Sequence, residues 1–306
     1  MRGFLKEILA GPAKLFNKTV LSLYLITAKG RIKGLKPLQL PGGKALILAP
    51  HQDDEILGCG CFILKMIKEG GKVKTVFFTD GSKSTEEIEP ETLKRIRKTE
   101  AQKVAKTLGM ESPEFLDRED GELDHRDVGA AMKLIKIVKN FQPDLIMVPY
   151  FLDGHKDHSA VSGIFINALE SINFKGRLFA YKTNSPISIH GVTHFIDCTD
   201  FMEYKKNALN LYESQSMSFE SILLMDKLNG IIANAEEGAE LFRELNLNAY
   251  KKAYRKYNKD NNIWKSFKQM YSIYFMVIAY FKGIKLKKEI ADYQNIKSRK
   301  PKEMEL

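Results

Sequence analysis

Cysteine is scarce in this chain: Cys59, Cys61 and Cys198 are the three among 306 residues. That excludes a disulfide framework at this length and fits a reducing, cytosolic (cytoplasmic) compartment. Long apolar runs are missing too. No stretch of about 18 uncharged apolar residues occurs, so a membrane-spanning helix is not expected. The start does not read as a cleaved signal peptide, because Lys14 and Lys18 interrupt the apolar stretch that should follow the charged Met1–Glu7. Internal repeats and low-complexity segments are absent. Acidic residues are nearly missing from the N-terminal end and far outnumbered by basic ones at the C-terminal end. Residues 1–44 hold nine Lys/Arg and one acid, a net +8, and residues 238–306 hold 16 and seven, a net +9. The stretch between them, 45–237, holds 23 Lys/Arg and 30 acids, a net −7.

Present in quantity is material for a core. Hydrophobic residues make up 44% and charged residues 28% of the chain, ordinary usage for a globular protein of one large α/β domain with extensions or two small domains. The charge shifts divide it into a basic extension over 1–43, a domain over 44–237 and a basic helical extension over 238–306. The basic ends read either as solvated helices or as segments that lie on an anionic surface, membrane or nucleic acid. One segment, Gln269–Phe281 (QMYSIYFMVIAYF), is uncharged and aromatic-rich with lysines at both ends. It reads either as a helix in a membrane interface or as a buried core helix.

The middle of the chain alternates two periodicities. Lys44–Pro50 is a continuous apolar run, the pattern of a strand buried on both faces, followed by helical spacing over Ile56–Glu69 that stops at Gly70-Gly71. Strands are predicted at Val73–Thr79, Pro113–Asp117 and Asp144–Pro149, and helices at Pro90–Leu108, Asp127–Phe141 and His158–Ile172. Arg177–Asp197 has alternating stretches that read as added edge strands, and helices are expected at Phe201–Tyr212 and Ser218–Leu228. Before the first strand, residues 4–30 have loosely helical spacing broken at Gly11-Pro12. Strand–helix alternation at these lengths predicts an α/β fold: a Rossmann-like, mostly parallel sheet with helices on both faces and its ligand site beyond the carboxyl ends of the strands.

Three of the six histidines fall in two acidic clusters at such strand ends, His51-Gln52-Asp53-Asp54-Glu55 and His155-Lys156-Asp157-His158. A catalytic zinc takes about three protein ligands from His, Asp, Glu or Cys and keeps one position open. A His and an Asp three residues apart, with one histidine from a neighbouring strand end, supply that set and leave a carboxylate and a spare histidine beside it. One acidic cluster alone would read as a helix cap; two at successive strand ends, each with histidine, do not. His125, His190 and His194 lack such company and read as structural or surface residues. Cys59-Gly60-Cys61 reads as small packing residues at a helix start.

On these motifs the chain resembles the LmbE-like (PIG-L) family of zinc-dependent N-acetylglucosamine de-N-acetylases, including those of the glycosylphosphatidylinositol, mycothiol and bacillithiol pathways. The family patterns are His-Pro-Asp-Asp-Glu and His-x-Asp-His, and Gln52 replaces the proline. Leu57-Gly58-Cys59-Gly60, Thr79-Asp80-Gly81, Arg97-Lys98-Thr99-Glu100, Leu108-Gly109, Asp120-Gly121-Glu122-Leu123 and Tyr212-Glu213-Ser214-Gln215 match weaker features in order, so the resemblance covers roughly residues 44–216. It implies one zinc on His51, Asp54 and His158. It also implies Asp53 as general base, His155 as oxyanion stabiliser or acid, and Asp157 orienting the His155 ring. Arg97 and Asp120 are candidates for sugar contacts. The chemistry is consistent: zinc makes water a nucleophile near neutral pH, and an amine leaves only when protonated. The expected substrate is a small or lipid-linked amino sugar, with peripheral membrane association through the basic ends. A two-metal phosphoesterase would need further ligands that the motif neighbourhoods lack. A nucleic-acid-binding module is disfavoured because the site face is acidic.

Overall fold

The computed structural model describes residues 2–32, 34–40, 42–215 and 218–298, with side chains from residue 10 onward; residues 299–306 of the C-terminal extension lie outside the described residues. In chain order the elements are α1 (Arg2–Lys29), β1 (Lys36–Pro37), β2 (Lys44–Ala49), α2 (Asp54–Lys68), β3 (Lys72–Thr79), α3 (Pro90–Leu108), β4 (Glu114–Arg118), α4 (Val128–Phe141), β5 (Leu145–Pro149), α5 (Lys156–Glu170), β6 (Arg177–Tyr181), β7 (His194–Asp197), α6 (Met202–Leu209), α7 (Glu220–Ala233), β8 (Ala239–Glu244), α8 (Leu247–Tyr257), α9 (Met276–Phe281) and α10 (Ile284–Ser298). Two 3₁₀ turns, Ile263–Ser266 and Ile273–Phe275, lead into α9.

The strands form a mixed α/β sheet in the order β1-β7-β8-β6-β5-β2-β3-β4. All pairings are parallel except those of β8 with β6 and β7. The apolar runs earn their burial by alternation. In β2, Leu46 and Leu48 enter one core while Ala45, Ile47 and Ala49 enter the other; in β5, Ile146 and Val148 face the first core and Leu145 and Met147 the second. α1, α4, α5, α7 and α8 cover the first face; α2, α3 and α6 cover the second. The charge shift near residue 237 falls immediately before β8, which inserts between β6 and β7.

Strand order reverses between β2 and β5, which lie side by side with Ala45 opposite Leu145. At such a switch point the connections leave to opposite sides and open a crevice beyond the strand ends. His51 follows β2 and His155 follows β5, so both motifs open onto this crevice.

Helix α2 is the stem of the first motif, and it is not regular. Cys59 has φ −135 and ψ 17, which breaks the hydrogen-bond ladder. The N–H groups of Cys61 and Phe62, freed by this kink, both donate to the Glu240 carboxylate of β8 at 2.9 Å. Glu240 in turn accepts from the buried Lys205 ammonium at 2.7 Å, and Asp226 bridges Lys205 and Lys182 at 2.8 Å each. Gly58 is required here: a Cβ would come within 2.1 Å of the Tyr181 ring and 2.4 Å of the Lys182 carbonyl. Cys61, Cys198 and Glu240 lie close enough to hold a metal, but the Lys205 ammonium already neutralises that carboxylate. Cys59 and Cys61 are small packing residues, as expected, and burial pushes both thiols well above their ordinary range.

Two segments differ from the sequence reading. α1 continues through Gly11-Pro12, where a break was expected; its C-terminal half is held by the buried Leu21, Leu25 and Ala28 against the first core. Gln269–Phe281 is not one helix. The Asn17 side chain accepts from Val277 N–H at 3.1 Å and donates to Ile273 C=O at 2.6 Å, so α1 supplies the backbone partners that a continuous helix would have supplied internally. Met270, Ile273, Met276, Ala279 and Tyr280 are buried, and Tyr271 and Ile278 are exposed.

Candidate active site

His51, Asp54 and His158 converge although they come from two separate motifs, His51 and Asp54 where β2 passes into α2 and His158 in the first turn of α5. Asp54 Oδ2 lies 3.1 Å from His51 Nδ1 and 3.3 Å from His158 Nε2, and it accepts the His51 backbone N–H at 3.0 Å. On its far side, His158 Nδ1 is held by Thr183 Oγ1 at 2.5 Å and Asp153 Oδ1 at 3.1 Å. Burial opposes a charge on His158, but Asp54 and Asp153 overcome it and raise the ring to about 10. Burial also opposes charge on Asp54, and His158 and His51 hold its carboxyl well below the ordinary range.

These residues fit a divalent cation. His158 Nε2 is buried and has no hydrogen-bond partner, an expensive arrangement in a dry interior. Donor atoms of His51, His155 and His158 lie within 4.8 Å of one another, and the carboxylate on the second His158 nitrogen is what orients a ligating imidazole. Asp54 completes the set better than His155 does. The His155 Nδ1 lone pair accepts the Asp157 backbone N–H at 3.2 Å, so in the neutral ring the proton sits on Nε2, a donor and not a ligand.

Asp53 borders the cavity from the other side of Asp54. Burial and the Asp54 charge push its carboxyl up to about 7, against the pull of Arg97, His51 and Gln215. Gln215 Nε2 donates to Asp53 Oδ2. The Asp53 backbone sits at φ 130, a left-handed conformation rare outside glycine. Burial and the neighbouring His51 and His158 lower His155 to about 4, so it is neutral at pH 7.

Asp157 meets His155 differently from the sequence reading. Its carboxylate accepts from Gly121 N–H at 2.8 Å and Leu123 N–H at 3.3 Å and faces His51 Nε2 at 3.3 Å. Only its backbone N–H engages His155. Asp120 also faces His51 Nε2, at 3.2 Å, and accepts from Lys83 N–H at 3.1 Å. Arg97 is buried, not a surface helix residue: its guanidinium donates to the Gln52 carbonyl and to Ser84 Oγ. Gln52, which stands in place of the proline, ties the motif loop to β3: its side-chain amide donates to Thr79 C=O at 3.0 Å.

The cavity holds about 230 Å³ and is lined by His51, Asp53, Asp54, Lys83, Ser84, Arg97, Asp120, His155, Asn184, Gln215 and Gln269. Sequence reasoning did not assign a role to Asp153, Thr183, Lys83, Asn184, Gln215 or Gln269. Asp153 carried a signal, since it stands two residues before His155 and accepts the His155 backbone N–H at 3.0 Å. Gln215 closed a recognised tetrapeptide, whose Tyr212 donates to Glu55 and whose Ser214 donates to Glu100. Gln269 carried none.

Residues 46–169 match the family model described as PIG-L: GlcNAc-PI de-N-acetylase. Over 191 residues the chain is 29% identical to the diacetylchitobiose deacetylase of Thermococcus kodakarensis, covering 56% of this chain and 70% of that protein. The structure of the N,N'-diacetylchitobiose deacetylase from Pyrococcus horikoshii superposes with a TM-score of 0.61 at 26% identity, covering 68% of this chain and 85% of that one. A 4-carboxy-2-hydroxymuconate hydratase from Pseudomonas putida shares the fold, with a TM-score of 0.57 at 19% identity over 67% of this chain and 96% of that one. The hydratase has this fold and a different named reaction, so the fold alone does not fix the chemistry.

Proposed function

From the match of residues 46–169 to the PIG-L family model, we propose that this protein is a zinc-dependent hydrolase of that LmbE-like family that removes the N-acetyl group from a GlcNAc-containing substrate. The observation that carries the reading is the buried, partnerless His158 Nε2 facing Asp54, with Asp153 and Thr183 behind the same ring. The names of the two deacetylase relatives support an N-acetylated amino sugar, as does a cavity walled by side chains that can hydrogen-bond hydroxyl groups.

His51, Asp54 and His158 would hold the metal, which supplies an activated water and a polarised carbonyl. Asp53, poised near neutrality, accepts the proton as water attacks the acetamide carbon. His155 offers its Nε2–H to the oxygen that gains charge. The proton on Asp53 then passes to the nitrogen, the C–N bond breaks, and the products are acetate and a free amine. Asp157 and Asp120 hold the His51 ring from its Nε2 side. Arg97 holds the Gln52 carbonyl and, with Asp120, forms part of the sugar-facing wall.

The test is amine release from GlcNAc, N,N'-diacetylchitobiose and a panel of GlcNAc conjugates, lipid-linked ones included, using zinc-replete protein beside Asp53→Ala. Release by the wild type that disappears in the variant, with one metal bound per chain, is the expected result. Two metals per chain with release of phosphate from phosphoesters would replace this reading by the phosphoesterase one. No release from any acetylated sugar at one zinc per chain would move the substrate to other amides and esters.

A further inference from the structure

α1 has three distinct faces. Leu21, Leu25 and Ala28 are buried against the first core. On the opposite side, Leu15, Phe16, Leu23 and Ile26 are 66%, 61%, 60% and 58% exposed. Leu15, Thr19, Leu23 and Ile26 follow the i, i+4, i+8, i+11 spacing that keeps one line along a helix, and no charged residue interrupts it. Lys14, Lys18 and Lys29, at i, i+4 and i+15, lie along one edge of it. Scattered exposed apolar residues are ordinary on a soluble protein; a line of large ones over three turns is not.

The two stretches of chain that build this surface carry charge of one sign. No Asp or Glu occurs between residues 8 and 52 or between residues 261 and 288, stretches that hold seven and six Lys/Arg. The two stretches pack together, with Tyr24 against the rings of Tyr280 and Phe281 at 5.5 and 4.9 Å. α9 adds the exposed Ile278, followed by the exposed Lys282 and Lys285. The acid at this border, Glu220 of α7, is engaged by Lys14.

We propose that the outward face of α1, with the adjoining face of α9, docks on an anionic lipid bilayer. An apolar line bordered by lysines is the pattern of a helix that lies in the headgroup region, apolar side down. Among the described residues no helix is long and apolar enough to cross a membrane, so the contact is peripheral. A second copy of the same surface would bring lysine against lysine, and a nucleic acid would leave four large apolar side chains unmatched. The segment that leads into α9 also carries Gln269, which lines the cavity, and the exposed Tyr271.

The experiment is flotation of the full chain with phosphatidylcholine vesicles containing about one-third phosphatidylglycerol, beside vesicles of phosphatidylcholine alone. It uses the wild type, the combined Leu15→Ser/Phe16→Ser/Leu23→Ser/Ile26→Ser variant and Lys18→Glu/Lys29→Glu. Expected are at least tenfold more wild-type protein on the anionic vesicles and at least tenfold less of either variant. Should the serine variant lose its fold, the charge-reversal variant decides. Three results overturn the proposal: wild type left in the dense fraction, folded variants that float like wild type, or lipid-free wild type that is dimeric while the serine variant is monomeric. The proposal does not depend on the reaction: amine release from a water-soluble acetylated disaccharide is unchanged in both variants, and its absence in the wild type would count against the reaction alone.

Discussion

Replacing Asp53 by glycine and by alanine separates backbone strain from chemistry. Asp53 stands at φ 130 and ψ −27, where a Cβ is costly: a non-glycine residue held in such a region stores about 1–3 kcal/mol. Alanine keeps the Cβ and therefore the strain. Glycine releases it but gives the unfolded chain more freedom, an opposing cost of about 0.4–1 kcal/mol. Both variants lose the same carboxylate and the same Gln215 hydrogen bond, so those contributions cancel between them. Taking the middle of each range, about 2 kcal/mol of strain less about 0.7 kcal/mol of chain freedom leaves Asp53→Gly more stable than Asp53→Ala by about 1.3 kcal/mol, the reverse of the usual order in which alanine is the better residue. In a chain of this size that corresponds to roughly 2–4 °C in melting temperature. Urea denaturation of the two metal-free variants at one pH measures it, and neither should release amine. An Asp53→Ala protein as stable as Asp53→Gly, or more so, would refute the argument that this position is strained.

Other consequences are as direct. Lys287 is buried, with its ammonium 2.7 Å from Pro186 C=O, and burial lowers it to about 8. Between pH 8 and about 10.4 the unfolded chain holds a proton the folded chain has lost, so wild-type stability should rise with pH relative to Lys287→Met, by about 3 kcal/mol across the window; parallel pH profiles of the two proteins would refute it. Lys205→Met leaves Glu240 and Asp226 without their shared cation and should cost about 3–5 kcal/mol in urea unfolding, so near-native stability would show the network to be inert. Asp153→Ala removes the carboxylate behind His158 and should weaken zinc binding about 10–100-fold in a chelator competition; unchanged affinity would remove Asp153 from the site.

Most elements between residues 44 and 172 were legible because β2, β3 and β5 are largely buried on both faces while α3 and α4 bury one face, which writes two different periods into the sequence; β4, at the sheet edge, buries only Leu116. β8 was not, because its six residues, AELFRE, carry two acids and an arginine and are buried by way of Lys205 and a salt-bridge network that only the fold assembles. Gln269–Phe281 was misread as one helix for a related reason: its backbone is satisfied by Asn17, more than 250 residues away in sequence. That the two histidine clusters meet was legible because both follow strands that the order of the sheet places side by side. Asp153 and Gln269 stand in irregular segments with no period to read. The role expected of the Asp157 carboxylate failed on direction, since a residue in the first turn of α5 can turn its N–H toward one neighbour and its side chain toward another.

The clasp of Asn17 on Ile273 and Val277 also sets an order of events during synthesis. On the ribosome α1 emerges long before α7 and α9, so its inner leucines have nothing to cover them while most of the sheet is being made. Until then the helix exposes apolar side chains on both sides, Leu21 and Leu25 as well as the outward Leu15 and Leu23.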